Sequence, residues 1–167
     1  MSRATYIATM VTRNSPLKTK PAMPDDALDP YLCFAVYSTG LAFNRVYKPL
    51  LDRLGLTYPQ YLAMVLLWQR DGQAVGELGE KLFLETSTLT PLIKRLESAG
   101  YVTRARDRAD ERVVRVSLTD AGRKLAEEAA CVPEEILQAT GMTLEQLGTL
   151  RDALVAMRGN LRESVGE

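Results

Sequence analysis

Residues 86–118 read TSTLTPLIKRLESAGYVTRARDRADERVVRVSL, and the change of pattern within this stretch decides the fold. The first half predicts a helix that starts around Thr86–Thr88, where Ser and Thr residues are suited to cap it, and that ends at Gly100. The apolar side of this helix consists of Leu89, Leu92, Ile93 and Leu96. The second half predicts two strands, residues 101–106 and 112–118, which are joined by a polar tip at residues 107–111. A helix followed by a β-hairpin is therefore expected.

The residues before this stretch predict two further helices. Thr57-Tyr58-Pro59-Gln60 has the pattern of a capping box and opens a helix that runs to about Arg70. Asp71-Gly72 predicts a turn, and a short helix is expected near Val75–Phe83. The order helix, turn, helix, hairpin is that of a winged helix-turn-helix, so the predicted fold class is mainly α with a small β-hairpin.

The polar side of the helix from Thr86 is a candidate DNA-binding surface. In a helix-turn-helix the second helix enters the major groove and presents polar side chains to base edges. Hydroxyl and cationic groups suit base edges and phosphates, although a solvated helix face would have a similar composition. The candidates on the face opposite the leucine stripe are Ser87, Thr88, Thr90, Lys94 and Arg95.

The hairpin adds a local positive patch. Five arginines fall within residues 104–115, against three acids. Because side chains alternate along a strand, some of these arginines are expected to point away from DNA. Those predicted to contact DNA are Arg106, Arg108 and Arg112, of which Arg108 and Arg112 are placed to reach a groove. Asp110 is expected to orient Arg112 through a bidentate pair.

The composition excludes several functional classes. The chain has 167 residues, equal numbers of acidic and basic residues, and no histidine, which removes histidine-based catalysis and histidine metal sites. Its two cysteines form no CxxC pair, and no Gly-rich phosphate loop is present. We therefore expect no cofactor, no metal and no enzymatic activity. The absence of a secretory signal and of a membrane span makes a cytoplasmic location the default expectation.

Cys33 lies where a long apolar-periodic segment begins. Asp29 is suited to cap this helix and Pro30 to occupy its first position, which places Cys33 in the first turn. The positive end of the helix dipole stabilises a thiolate, the form of cysteine that reacts with oxidants. The alternative is a small apolar core residue, a common role for a free cysteine.

The sequence resembles the MarR family of transcriptional regulators over roughly residues 30 to 161. The resemblance lies in Leu84–Ala99 and in the hairpin that continues through Thr119 to Gly122. It implies an obligate homodimer with interleaved N- and C-terminal dimerisation helices and a pseudo-palindromic double-stranded DNA operator.

Within the family, three segments are similar to the repressors that sense organic hydroperoxides: LCFAVYST at 32–39, YKPLL at 47–51 and LTYPQY at 56–61. This similarity implies that Cys33 is oxidised by organic hydroperoxides and that Tyr47 and Tyr58 hydrogen-bond its sulfur across the dimer. It also implies that Cys131 resolves the sulfenic acid as a disulfide to the other subunit. An inert Cys131 remains the alternative.

The predicted organisation has four parts. Residues 1–28 form a flexible basic arm, and residues 29–57 form the N-terminal dimerisation and sensor helix. Residues 58–118 form the winged helix-turn-helix, and residues 119–167 form the C-terminal dimerisation helices. In this last part, Thr143-Leu144-Glu145-Gln146 predicts a capping box, followed by an apolar seam at positions 147, 150, 154, 157 and 161.

The leading hypothesis is a redox-sensing repressor that releases its operator when Cys33 is oxidised. A second is a MarR-type regulator controlled by a non-covalent phenolic or other small ligand at the dimer cleft, with Cys33 as a bystander. A third, a thiol peroxidase, is disfavoured by the missing histidine and by the complete winged unit.

Overall fold

The computed structural model describes residue 28 and residues 30–166. The predicted basic arm, apart from Leu28, and the predicted cap Asp29 lie outside the described residues. The chain divides into two compact units, residues 1–44 and residues 45–167. Within the described residues, no helix is long and apolar enough to cross a lipid bilayer.

The first helix, α1, spans Leu32–Asp52 and begins later than predicted. The Tyr31 N–H donates to the Leu28 carbonyl at 2.9 Å, so a turn that contains Pro30 precedes the helix. The prediction that Pro30 occupies the first helical position is therefore wrong. Cys33 nevertheless lies in the first turn, as its second residue.

The helices of the helix-turn-helix follow the predicted order. Helix α2 spans Tyr58–Gln69, α3 spans Val75–Leu82 and α4 spans Thr86–Ser98. The Gln60 side-chain oxygen accepts hydrogen bonds from the Thr57 N–H and hydroxyl, at 2.8 and 2.9 Å, and these bonds fix the start of α2. Between α3 and α4, Phe83 has a left-handed backbone with φ of 55°, which turns the chain sharply.

The wing contains one strand more than predicted. Strands β2, Val102–Arg106, and β3, Val114–Leu118, form the expected antiparallel hairpin. A two-residue strand before α3, β1 at Gln73–Ala74, also pairs with β3, so the sheet order is β1-β3-β2. The wing is thereby attached to the start of α3 as well as to the end of α4.

The C-terminal part contains three helices. Helix α5 spans Asp120–Glu128, a 3-10 turn covers Ala129–Cys131, α6 spans Val132–Thr140 and α7 spans Leu144–Glu163. Pro133 lies in the first turn of α6, where its missing N–H costs no helical hydrogen bond. The capping box before α7 is confirmed, because Thr143 and Gln146 exchange hydrogen bonds of 2.9 and 3.2 Å.

The core of the unit 45–167 holds α4 in place. Met64, Leu67, Leu78, Ile93 and Val116 are completely buried. The indole N–H of the nearby Trp68 donates to a backbone carbonyl of α5 at 2.8 Å, which joins α2 to α5. The apolar face of α4 packs into this core, so its polar face points toward solvent.

Helix α7 differs from the others because it buries none of its side chains. Leu150, Leu154 and Leu161 of the predicted seam are exposed. Apolar side chains gain about 1.5–3 kcal/mol each when they are fully buried, so the exposed seam provides a driving force for association.

At Gly122, even the replacement of hydrogen by a methyl group is expected to destabilise the fold. A Cβ there would lie 2.0 Å from the Tyr101 carbonyl oxygen, which is a backbone atom. Gly122→Ala is expected to lower the free energy of unfolding by about 3 kcal/mol, as severe overpacking does. Urea unfolding followed by circular dichroism measures this loss.

The matched control for this prediction is Gly76→Ala, because a Cβ on Gly76 meets nothing within 4 Å. This variant is expected to match the unmodified protein or to gain about 0.5 kcal/mol, since alanine favours a helix over glycine. Equal unfolding midpoints for the two variants would contradict the predicted clash.

Candidate functional site

Helix α4 divides into a buried and an exposed face, as predicted. Its buried residues are Leu89, Leu92, Ile93 and Leu96. Of the predicted DNA-contacting residues, Thr90 is half-buried, and Ser87, Thr88, Lys94 and Arg95 are exposed. The structure therefore brings the predicted hydroxyl and cationic groups onto one outward face of α4.

The tip of the wing is organised by Asp107 and Asp110. The Asp107 carboxylate accepts a 2.7 Å hydrogen bond from the Ala109 N–H and forms an ion pair with Arg115. These bonds hold the pKa of Asp107 below its usual value. The Asp110 carbonyl accepts from the Val113 N–H at 2.9 Å, which closes the turn.

The predicted pairing of Arg112 with Asp110 is confirmed. Nε and Nη2 of Arg112 donate to the two carboxylate oxygens of Asp110 at 3.0 and 3.1 Å. The same hydrogen bonds lower the pKa of Asp110 and raise the pKa of Arg112. The Arg112 side chain remains 91% exposed, so it is oriented and open to solvent at once.

The other arginines of the wing fall into two groups. Arg104 pairs with Glu97 at the end of α4 at 2.7 Å, and Arg115 bonds Asp107 and the Gly72 carbonyl. These two residues connect parts of the fold. Arg106 and Arg108 are exposed, and no ion pair among the described residues involves either of them. Which of the exposed arginines contact DNA stays a prediction.

A cleft of about 390 Å³ lies between α4 and the wing. Thr86 and Thr90 line its helix side, and Arg104 and Arg112 line its wing side. The remaining lining residues are small or apolar and come from β1, α3, α4 and the wing, so the cleft is mainly apolar and carries only a few cationic and hydroxyl groups.

Tyr47 and Tyr58, the tyrosines predicted to stabilise sulfur, lie against each other. Their ring centroids are 4.6 Å apart, and both side chains are half-buried. Burial, and to a smaller extent electrostatic repulsion from Tyr58 and Tyr61, raises the pKa of Tyr47 to about 12. Burial also raises the pKa of Tyr58. Tyrosine is protonated at neutral pH even at its ordinary pKa, so both phenols can donate hydrogen bonds there, and burial extends this range to higher pH.

Tyr61 belongs to the same cluster and was not predicted as a site residue. Its ring centroid lies 6.0 Å from that of Tyr47 and 6.2 Å from that of Trp68. The sequence spacing could have indicated it, because Tyr61 follows Tyr58 by three positions and residues three apart share a helix face. Burial raises the pKa of Tyr61, and electrostatic repulsion from Tyr58 and Cys131 raises it further. Cys131 therefore lies near this cluster.

The two cysteines are both free and exposed. Cys33 lies in the first turn of α1, and Cys131 ends the 3-10 turn before α6. The Cys131 sulfur lies 3.8 Å from the Glu128 carbonyl oxygen. The disulfide expected between Cys33 and Cys131 of two subunits stays a prediction.

Alkaline titration tests the tyrosine cluster. With seven tyrosines in the chain, the absorbance change of phenolate formation should include a late step near pH 12 from Tyr47. Because this pKa lies above the unfolded value of 10.0, the phenol contributes full stability below pH 10, which is lost as the pH rises toward 12. Tyr47→Phe should remove the late step, and a loss of amplitude near pH 10 instead would contradict the burial of this phenol.

Comparisons with known proteins identify similar transcriptional regulators. A family model described as "Transcriptional regulator SarA/Rot" matches residues 45–129. The regulator TtmR of Methylorubrum extorquens (strain PA1) is 50% identical over 140 residues, which cover 84% of this chain and 72% of that protein. The organic hydroperoxide resistance transcriptional regulator of Bacillus subtilis (strain 168) is 43% identical over 136 residues, which cover 81% and 92%.

Solved structures show the same winged fold. AbfR is a protein of Staphylococcus epidermidis. The structure of reduced AbfR bound to DNA matches this chain with a TM-score of 0.69 and 32% identity, and the match covers 80% of this chain and 92% of that one. A disulfide-formed structure of AbfR has a TM-score of 0.56 and 31% identity, with coverage of 81% and 90%. The predicted fold class is thereby confirmed, and the similarity to named regulators confirms the prediction that the chain is not an enzyme.

Proposed function

The chain belongs to the MarR family of transcriptional regulators and is similar to its organic hydroperoxide resistance regulators, and on this premise we propose that it is a redox-sensing repressor. In this proposal the reduced homodimer binds a pseudo-palindromic operator. Oxidation of Cys33 by an organic hydroperoxide causes release. The observation that carries the redox part is the Tyr47–Tyr58 pair, whose half-buried rings lie with their centroids 4.6 Å apart and supply two phenol donors.

Helix α4 and the wing supply the proposed DNA contacts. Ser87, Thr88 and Thr90 are suited to base edges, and Lys94 and Arg95 are suited to phosphates. Arg106, Arg108 and Arg112 extend the positive surface along the wing, where an arginine can enter a narrow minor groove. The DNA-bound state of AbfR supports this assignment by analogy.

The exposed seam of α7 supports the proposed dimer. Leu150, Leu154 and Leu161 recur at intervals of four and seven, a spacing that suits the packing of one helix on another. Two winged units in one dimer would then contact two half-sites, whose spacing is a strict geometric requirement. A shift of the dimerisation helices would change this spacing and release the operator.

The proposed chemistry starts at the Cys33 thiolate. Its sulfur attacks the terminal oxygen of the hydroperoxide, the O–O bond breaks, and the sulfur takes up the hydroxyl group as a sulfenic acid. The alkoxide leaves and becomes the alcohol by taking a proton from solvent. Phenol O–H groups of Tyr47 and Tyr58 from the partner subunit stabilise the sulfur anion, because hydrogen bonds favour the charged form. Cys131 of the partner subunit then forms a disulfide with the sulfenic sulfur, and water leaves.

The test uses a fluorescent operator duplex selected from random DNA by the reduced protein. Fluorescence anisotropy is followed after addition of one equivalent of cumene hydroperoxide, with non-reducing mass analysis of the same samples. The expected result is release, a Cys33–Cys131 link between subunits, and recovery of binding with dithiothreitol. Release by salicylate with both thiols unmodified would favour the small-ligand alternative, and retention of DNA by a fully oxidised Cys33 would reject the proposal.

A further inference from the structure

Phe83 is an exposed aromatic residue with an unusual backbone conformation. It lies between α3 and α4, and it is the one non-glycine residue in the described part of the chain with a positive φ. A bulky side chain rarely adopts this conformation, which suits glycine better. Phe83 is also 50% exposed. Because residues that keep an unfavourable backbone conformation cluster at functional sites, its ring is a candidate for a role beyond the packing of the core.

Two arginines of α7 contact this ring. Cζ of Arg158 lies 4.3 Å from the ring centroid, and Cζ of Arg162 lies 5.0 Å from it. Both distances are within the range of a cation–π interaction. The arginines are four positions apart on one helix, a spacing at which like charges repel each other. The ring attracts both guanidinium groups and offsets this repulsion. We call the three side chains the Phe83 cluster.

The Phe83 cluster joins the proposed dimerisation helix to the helix-turn-helix. Arg158 and Arg162 directly follow positions 157 and 161 of the apolar seam, so they lie on the side of α7 next to the seam. One side of α7 can therefore pack on a partner helix while the neighbouring side contacts the turn that precedes α4. All of these residues belong to the unit 45–167.

We propose that the Phe83 cluster fixes the distance of α4 from the dimer axis and thereby determines which half-site spacing the dimer binds. This role rests on the proposed function, which supplies the dimer and its two-part operator. The seam fixes each α7 relative to the two-fold axis, and the cluster fixes the start of α4 relative to α7. Phe83, Arg158 and Arg162 are positioning residues in this role, since none of them has to contact DNA.

The strength of the contacts limits how well they discriminate between spacings. One added base pair moves a half-site by about 3.4 Å along the duplex and rotates it by about 35°. A dimer that follows this change has to break or lengthen contacts in the cluster. An exposed cation–π contact corresponds to about a two- to fivefold factor in an equilibrium constant. The unmodified protein should lose about that factor in affinity for each contact that a wrong spacing breaks, and a variant without the contact should not.

The test measures binding of the reduced protein to operator duplexes that differ only in the spacer between the half-sites. The starting duplex is selected from random DNA, and the others are one base pair shorter or longer. Phe83→Leu removes the aromatic ring, keeps an apolar side chain and changes no charge. Relative to the preferred spacing, this variant is expected to bind the altered spacings about two- to fivefold better than the unmodified protein does. Phe83→Tyr keeps an aromatic face and should keep the spacing preference.

A double variant, Arg158→Gln with Arg162→Gln, removes the same contacts from the side of α7. It is expected to relax the spacing preference as Phe83→Leu does. Combining all three substitutions should relax the preference no further, because they remove shared contacts. Arg151→Gln is the matched control, since it removes a positive charge from α7 at a residue that pairs with Asp152. A change in charge alone affects every spacing alike, so this control should keep the preference.

The spacing preferences of these variants decide the proposed role. A relaxed preference in Phe83→Leu and in the double arginine variant, with a retained preference in Phe83→Tyr, would support it. An unchanged preference in Phe83→Leu, or equal weakening at every spacing, would overturn it. Circular dichroism and sedimentation show whether each variant is a folded dimer. If Phe83→Leu does not fold, the double arginine variant decides alone, because Arg158 is exposed and Arg162 is only half-buried.

The same titrations separate this role from the proposed function. If the unmodified protein prefers no spacing, the proposed two-part operator and the role of the Phe83 cluster both fail. If it prefers one spacing and every variant keeps that preference, only the role of the cluster fails. Release by cumene hydroperoxide is measured separately, so a failure of Cys33 to sense peroxide would reject the redox proposal and leave the spacing result intact.

Discussion

Cumene hydroperoxide is expected to leave a Cys33→Ser variant bound to the operator at concentrations that release the unmodified protein. A serine hydroxyl replaces the exposed thiol in the first turn of α1 and is not oxidised by hydroperoxides. The unmodified protein should lose affinity by about 5–150-fold, the usual range for coupling between two sites. The Cys33→Ser protein should change by less than twofold in the same anisotropy titration.

Cys131→Ser is the matched control, because it makes the same exchange at the other exposed cysteine. This variant should still form sulfenic acid on Cys33 but should show no link between subunits. Its oxidation should proceed to a sulfinic acid as the peroxide dose rises. Equal release of the Cys33→Ser and unmodified proteins would remove Cys33 from the switch and leave the small-ligand alternative.

Local sequence patterns predicted the elements that present the candidate surface. The stripe Leu89, Leu92, Ile93, Leu96 identified the buried face of α4, because helical periodicity and burial follow the same geometry. The capping residues before α2 and α7 marked their starts, since caps are short-range interactions. The Asp110–Arg112 pair was also within reach of sequence reasoning, because only one residue separates the two.

The remaining features depend on contacts between distant positions. Strand β1 has two residues and pairs only because the turn at Gly72 brings it beside β3, so no periodicity could indicate it. The sequence does not distinguish Arg104 and Arg115 from Arg112. In the structure, Arg104 pairs with Glu97. Arg115 bonds Asp107 and the Gly72 carbonyl. The division of wing arginines into connecting and exposed residues therefore requires the tertiary structure.

The surroundings of the cysteines show the same limit. The position of Cys33 near the start of α1 followed from the apolar spacing, because Pro30 precedes the helix and does not open it. The neighbours of Cys131, in contrast, include Tyr61, which comes from the distant helix α2. The thiol could be named from the sequence as a candidate for disulfide formation, but the groups around it could not.

Arg112→Ala is expected to weaken operator binding by about 1–3 kcal/mol, as the loss of an oriented arginine contact does. The side chain donates two hydrogen bonds to the Asp110 carboxylate and is 91% exposed, so its geometry is set before DNA arrives. Anisotropy titrations at several salt concentrations measure the loss.

Arg151→Ala is the matched control, because Arg151 also pairs with a nearby aspartate, Asp152, at 2.9 Å but lies on α7. It should leave affinity nearly unchanged.

Asp110→Ala tests whether orientation or charge decides the contribution of Arg112. Removing a negative charge beside DNA would tighten binding if the net field were the only factor. If the bidentate pair orients the guanidinium, the same substitution should weaken binding, by less than Arg112→Ala, and should add little to it in the double variant. Asp152→Ala removes an equal charge from α7 and corrects for the change in net charge. Tighter binding by Asp110→Ala would mean that Asp110 restrains Arg112 electrostatically, whereas weaker binding would mean that the wing presents an arginine whose orientation is fixed in advance.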